Sequence, residues 1–391
     1  VNTHPIDTGK IAAARSTPLP ARARPKRLAI LLPSLLPFGG AERVVIANAE
    51  WFLSQGYAVD LVFLDEPADV SAAVPAGCRV FNLDVKRARW AIGPLARYLK
   101  RERVDVVHAN IWPLTSIAVV AHRLARSSAR LCLADHNPLS VQYGGGSLAK
   151  RWALRASLAL TYPLASARIA VSGGVADDVA RLAFMPRGKF QVVHNPVGLL
   201  PAPPGPDSSV EAAWGGWAGK RLLTVGRLKK QKNHALLIRA LKIVRRSIDA
   251  RLMILGTGEC EEETRALIAA EGLAADVLMP GHVDNPVPFY AASDLFVLSS
   301  DYEGFGNVLV EALACGLPVV STDCPSGPAE ILEDGRYGSL VPVGDADALA
   351  RAILDALAAT HDREALKRRA ADFAPEVVNR KYRHVFFPDQ G

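Results

Sequence analysis

The chain reads as an α/β protein of two doubly wound, Rossmann-like domains that face each other across a cleft. Three observations predict this. At 391 residues it is too long for one ordinary core, and half of its residues are apolar. Short continuous apolar runs alternate with segments of helical spacing, as expected for parallel strands covered on both faces. A Pro/Gly-rich stretch, Leu199-Leu-Pro-Ala-Pro-Pro-Gly-Pro-Asp-Ser-Ser209, interrupts the alternation near the middle, after which it restarts.

Residues 1–24 are rich in Pro, Arg, Ala and Thr and lack an apolar segment, so they read as a disordered basic tail rather than a secretory signal. The first domain is expected over 25–198. Its strands are predicted at Arg27–Leu32, Tyr57–Leu64, Arg79–Leu83, Val104–Ala109, Arg130–Ala134 and Ala167–Ser172, with a helix from about Ala41 to Gln55. Residues 199–219 are expected to form the interdomain linker. The second domain, 220–365, should place strands at Arg221–Val225, Arg251–Leu255, Val277–Met279, Leu295–Ser299 and Pro318–Ser321. Residues 366–391 carry helical spacing over Glu376–Phe387.

The most informative segment lies between the last two of these strands. Leu295-Phe-Val-Leu-Ser ends in Glu303-Gly-Phe-Gly, and Asn307 to Cys315 then reads as a short helix stopped by Gly316 and Pro318. Ligands of open α/β sheets sit outside the carboxyl ends of strands, where free helix amides attract phosphate. Glu303 is therefore expected at a pocket rim. Glu311 lies one helical turn beyond Asn307 and should point the same way.

Composition narrows the classes. No uncharged apolar run reaches 18 residues, so no membrane-spanning helix is predicted. Five scattered cysteines without a CxxC pair indicate neither a zinc site nor a disulfide framework, which fits a reducing cytosol. Residues 1–200 carry a net charge of +12 and residues 201–391 one of −5. Basic clusters lie at Lys86–Arg89, Arg97–Arg103 and Lys150–Arg155, but no basic-aromatic module or helix-turn-helix pattern points to nucleic acid. The last cluster opens an amphipathic stretch, Leu148–Tyr162, with Trp152 beside its cations. Two readings stand for it: a helix resting on an anionic bilayer, or an ordinary helix packed on a sheet with a solvated basic face.

Two glutamates eight residues apart with Gly304 and Gly306 between them, together with Val225-Gly-Arg-Leu-Lys-Lys-Gln-Lys-Asn233, Leu255-Gly-Thr-Gly258 and Pro37-Phe-Gly-Gly-Ala-Glu-Arg43, resemble the family 4 retaining glycosyltransferases of GT-B fold. The resemblance covers about residues 27–385. It implies a nucleotide-sugar donor whose diphosphate is gripped by Arg227 and Lys232 beside Gly226, with Gly304 also on the donor and amides from Phe305, Gly306, Asn307 and Val308 at the distal phosphate. It also implies that Glu303 contacts donor-sugar hydroxyls and that Glu311 takes the ribose hydroxyls. Carboxylates suit that work because each accepts two hydroxyl hydrogen bonds. His136 matches the family's active-site histidine, and Gly39 and Gly40 match its first-domain loop near diphosphate and acceptor. His108 and His194, which also end strands, are weaker candidates. The C-terminal helix should cross back onto the first domain.

In this scheme no metal or other cofactor is required, and the one Asp-x-Asp, Asp345-Ala-Asp347, reads as a helix cap. The phrase from Glu303 to Gly316, with Asp323-Cys-Pro-Ser-Gly-Pro-Ala-Glu-Ile, resembles bacterial members that build oligosaccharides on polyprenyl diphosphate from UDP-N-acetylhexosamines. The expected activity is thus retaining transfer of a hexose or N-acetylhexosamine to a lipid-linked glycan. The expected place is the cytoplasm, peripherally on the inner face of the plasma membrane. Three rivals are weighed against it. An NAD-dependent oxidoreductase needs a third glycine that Gly256-Thr-Gly-Glu-Cys-Glu261 lacks. A nucleotide-sugar epimerase or phosphorylase on the same fold is the second, and release of free nucleotide only when an acceptor is present separates the transferase from the epimerase. A non-catalytic glycan binder is disfavoured by the intact set His136, Arg227, Lys232, Glu303 and Glu311.

Overall fold

The structure, a computed structural model, describes residues 24–34, 40–65, 74–198 and 208–388. The expected basic tail therefore lies, but for Arg24, outside the described residues, as do Gly39 and most of the Pro/Gly-rich stretch. Two all-parallel sheets make the fold. The first contains β1 (Arg27–Leu32), β2 (Ala58–Phe63), β3 (Arg79–Asn82), β4 (Val106–Asn110), β5 (Arg130–Asp135), β6 (Ala167–Ala170) and β7 (Gln191–Val192), in the order β3-β2-β1-β4-β5-β6-β7. The second contains β8 (Lys220–Val225), β9 (Ala250–Leu255), β10 (Val277–Gly281), β11 (Leu295–Leu298), β12 (Val319–Thr322) and β13 (Ser339–Val341), in the order β10-β9-β8-β11-β12-β13.

These are the strand orders of doubly wound sheets, with the reversal between β1 and β4 in one domain and between β8 and β11 in the other. Central strands such as β4 and β11 are buried along their whole length, and β11 accordingly reads as an unbroken apolar run. Each switch point opens a crevice at the strands' carboxyl ends, and the two crevices face each other.

Three boundaries differ from the sequence expectation. Ser208–Trp214, placed in the linker, is a helix; Val210 and Trp214, one turn apart, are buried, and the Trp214 carbonyl accepts from Arg251 of β9. The second domain extends past 365, because helix Arg363–Ala371 buries Leu366 and Phe373 packs edge-on against Phe305. The returning helix is Pro375–Phe386. It buries Val378, Tyr382 and Phe386 in one cluster with Leu28, Ile30 and Phe52 of the first domain. Phe386 packs 5.5 Å from Phe52, and Arg130 Nε donates to the Val385 carbonyl at 2.8 Å. β7 and β13, with two and three residues, were not anticipated.

Candidate functional site

On the second-domain wall, β8 runs into Gly226 and Arg227. The motif Leu255-Gly-Thr-Gly258 has a steric reason here: a Cβ on Gly256, at φ +139, would lie 2.1 Å from the Gly226 carbonyl, and one on Gly258 would lie 2.3 Å from that of Leu228. The loop carrying Arg227 thus rests on bare backbone. Arg227 is half-exposed, and its Nε donates to Glu259 Oε2 at 3.3 Å. Lys232 is nearly buried and donates to Glu303 Oε1 at 2.6 Å. Ser300 Oγ donates to the same oxygen at 2.6 Å, and Ser299 Oγ holds the Lys232 carbonyl at 2.9 Å. The strand end of β11 therefore fixes both members of the Lys232–Glu303 pair.

Gly306, at φ +103, opens helix Asn307–Ala314. Among the described residues the amides of 305–308 have no acceptor, which leaves four donors at a helix start, where negative charge is favoured. The side chains of Phe305 and Val308 face the core, so only their backbone is available. Glu311 is buried: Tyr290 Oη donates to its Oε2 at 2.9 Å and Arg43 Nη2 to its Oε1 at 2.5 Å.

The first domain supplies the other wall. Gly40 opens helix Gly40–Ser54, and its carbonyl lies 3.5 Å from Asn307 Nδ2. Glu42 of the same helix faces Arg227 and Lys229; its burial raises the carboxyl above the usual range, while those two cations pull the other way. His136 follows β5 and is buried, with Nε2 2.9 Å from Asn110 Oδ1. Its carbonyl touches Gly304 so closely that a Cβ on Gly304 would lie 1.7 Å from it. Ser172 Oγ donates to the Gly304 carbonyl at 2.6 Å, and Glu330 accepts from the Gly173 amide at 2.6 Å.

The structure thus gathers His136, Gly40, Gly226, Arg227, Lys232, Glu303, Gly304, Gly306 and Glu311 around one interdomain crevice. His108 is not among them, since it is buried against Tyr382 and Phe386 behind the sheet. His194 bridges the domains instead, pairing with Glu330 at 3.1 Å and stacking on Phe305. Asp345 caps helix Ala346–Ala358 by accepting from the Ala348 amide. Among the described residues no group of three or more His, Cys, Asp or Glu is placed to hold a metal ion, and the five cysteines are free thiols. Sequence reasoning missed Arg43, Tyr290, Ser300 and Asn110. Arg43 sat in a quoted motif; the others carry no local signal.

Chemically, the crevice opposes Arg227, Lys229, Lys232 and Arg43 to buried carboxylates, a setting able to neutralise a polyanion while accepting hydrogen bonds from hydroxyls. Burial lowers the Lys229 ammonium below its ordinary range.

Comparison with known proteins agrees with this geometry. Residues 218–373 match the family described as glycosyl transferases group 1, and residues 38–199 match glycosyltransferase family 4. A Campylobacter jejuni protein named as N-acetylgalactosamine-N,N'-diacetylbacillosaminyl-diphospho-undecaprenol 4-alpha-N-acetylgalactosaminyltransferase is 30% identical over 361 residues, covering 88% of this chain and 94% of its own. The amylovoran biosynthesis glycosyltransferase AmsD of Erwinia amylovora is 28% identical, over 92% and 99% of the two chains. Among solved structures, Anabaena HepE with UDP and glucose superposes with a TM-score of 0.75 at 22% identity, over 91% and 98% of the two chains.

Proposed function

The chain belongs to the family 4 glycosyltransferases, with two α/β domains of GT-B type, and from that premise we propose that it moves a hexose or N-acetylhexosamine, with retention, from a UDP-sugar to a polyprenyl-diphosphate-linked glycan. The observation that carries the reading is the convergence of Arg227, Lys232 and four amides at a helix start, without an acceptor among the described residues, on the crevice that also holds Glu303, Glu311 and His136. Breaking a glycosidic bond to diphosphate builds negative charge on the leaving group. Fixed cations and amides placed there act mainly in the transition state.

In this proposal Arg227 and Lys232 grip the diphosphate and the amides of 305–308 hold the distal phosphate. Glu303 accepts from sugar hydroxyls and His136 faces the sugar. Glu311 takes the ribose hydroxyls, so Arg43 must share or yield Glu311 Oε1 when donor enters. The departing phosphate oxygen can take the acceptor proton, which leaves no general base to be named. No metal is needed, since the cations and amides do its work. The likeness in length and sequence to an undecaprenol-diphosphate-dependent transferase is what supports the lipid-linked acceptor.

Heat protection tests the donor half. A ligand that binds only the folded state at a hundredfold excess over Kd adds about 2.7 kcal/mol. UDP is expected to raise the melting temperature equally with and without chelator. Protection lost on chelation would restore a metal to the scheme, and none under either condition would remove the nucleotide assignment.

The membrane half rests on helix Leu148–Thr161, which turns Leu154 and Leu158 inward and leaves Leu148, Trp152 and Leu160 exposed beside Lys150 and Arg151. The Arg155 guanidinium lies 5.7 Å over the Trp152 ring. Among the described residues no helix is long and apolar enough to cross a membrane. We place the enzyme peripherally on the cytoplasmic leaflet, held by this helix. Each cation near an anionic surface contributes about 1 kcal/mol, falling with salt. Anionic vesicles should co-sediment the protein at low salt but not at high salt, and Lys150→Glu/Arg151→Glu/Arg155→Glu should abolish this. Equal sedimentation of both proteins would leave only a packed helix with a solvated face.

A further inference from the structure

Asn110, at the carboxyl end of β4, decides which nitrogen of His136 is available to a substrate. Asn110 is fully buried, and its Nδ2 donates to two backbone carbonyls, Leu31 at 3.2 Å and His108 at 3.2 Å. A primary amide has two N–H donors, and both are committed here. Turning the amide over would set Oδ1 against those two carbonyl oxygens, so the hydrogen-bond network settles its orientation. Oδ1 therefore faces His136 Nε2, 2.9 Å away. An amide oxygen only accepts, so Nε2 must carry a proton. Burial holds the imidazole down to about 4, which leaves one proton on the ring at neutral pH. Nδ1 is then a bare lone pair, buried and without a partner among the described residues.

We propose that Asn110 is a positioning residue that locks His136 as its Nε2–H tautomer, so that the group of the donor sugar meeting Nδ1 has to be a hydrogen-bond donor, a hydroxyl or an acetamido N–H. This rests on the reading that His136 faces the donor sugar. A hydroxyl can donate to Nδ1. A carboxylate in its place, as on a uronic acid, would set lone pair against lone pair, and a deoxy position would leave a buried acceptor unsatisfied. The locked ring can recognise a sugar, but it has no proton to give at Nδ1.

The tautomer can be read without substrate, by long-range proton–nitrogen NMR on the full chain labelled at its histidine ring nitrogens, with His136→Ala identifying the signal. The expected spectrum at neutral pH has the proton on Nε2 and Nδ1 bare. A proton on Nδ1, or on both nitrogens, overturns the proposal. Kinetics supply the second arm. Asn110→Ala should lower donor kcat/KM about tenfold or more, the scale of one lost hydrogen bond at a site. Added to His136→Ala it should cost less than about twofold, because its effect travels through that ring. Losses that simply multiply in the double variant would overturn it. Full donor kcat/KM in His136→Ala would sink the sugar contact and the requirement for a donating group with it, while the spectrum still decides the tautomer. Should Asn110→Ala fail to fold, the wild-type spectrum decides alone.

Discussion

Gly304→Ala is expected to cut turnover about a hundredfold while leaving both domains folded. The new Cβ would lie 1.7 Å from the His136 carbonyl oxygen and 3.2 Å from Asn137 Oδ1. The first obstacle is backbone, which no side-chain rotation can clear. Gly304 belongs to the second domain and His136 to the first, so the strain is relieved most cheaply by moving the walls apart. The walls would have to part by roughly an ångström or more, and misplacing reacting groups by about that much costs on the order of 10²-fold. The Ser172 hydrogen bond to the Gly304 carbonyl should be lost in the same movement. Steady-state turnover beside circular dichroism and a melting curve checks this, with Gly145→Ala, where a Cβ meets nothing within 4 Å, as control. Wild-type turnover in Gly304→Ala would mean that the working enzyme does not use this contact.

Arg227→Ala and Lys232→Ala should each lower kcat by roughly two orders of magnitude, the usual size of a lost transition-state charge contact. Their stabilities should differ. Arg227 is half-exposed and pairs at 3.3 Å with an exposed Glu259, so its removal leaves nothing buried and unpaired. Lys232 is 15% exposed and holds Glu303, which is nearly buried. Its loss leaves that carboxylate with Ser300 alone, at a cost on the order of 1–3 kcal/mol. Kinetics and denaturant titrations of both variants separate the two effects. Unchanged turnover in both would remove the diphosphate assignment, and equal destabilisation would contradict the different burial of the two cations.

The two-sheet fold was legible because parallel strands covered on both faces, such as β1 and β11, have no polar alternation to confuse the reading. β7 and β13 were not, since edge strands of two or three half-buried residues carry no apolar run. Helix Ser208–Trp214 hid behind the Pro/Gly-rich stretch, though Val210 and Trp214 stand one turn apart. Around the crevice, the strand-end residues Arg227, Glu303 and His136 announce themselves by position after an apolar run. Contacts between distant elements do not. Arg43 and Glu311 are 268 residues apart, and nothing local to either predicts their pairing across the two domains. Asn110 is a polar residue ending a strand, and its meaning appears only once β1, β4 and β5 lie side by side. His108, two residues earlier and so on the same face of the strand, shows the converse: it lies within the sheet rather than at its carboxyl edge, covered by Tyr382 and Phe386.

The central claim is that this crevice transfers a sugar from a nucleotide to an acceptor with its anomeric configuration retained. The measurement that tests it most directly offers the full chain UDP-hexoses and UDP-N-acetylhexosamines with a polyprenyl-diphosphate-linked saccharide, and reads the product's mass and anomeric configuration. An acceptor heavier by one sugar is expected, joined by an α bond from an α-linked donor, with one UDP released per transfer and none without acceptor. A β bond from that donor, or a nucleotide sugar altered without acceptor, would contradict it.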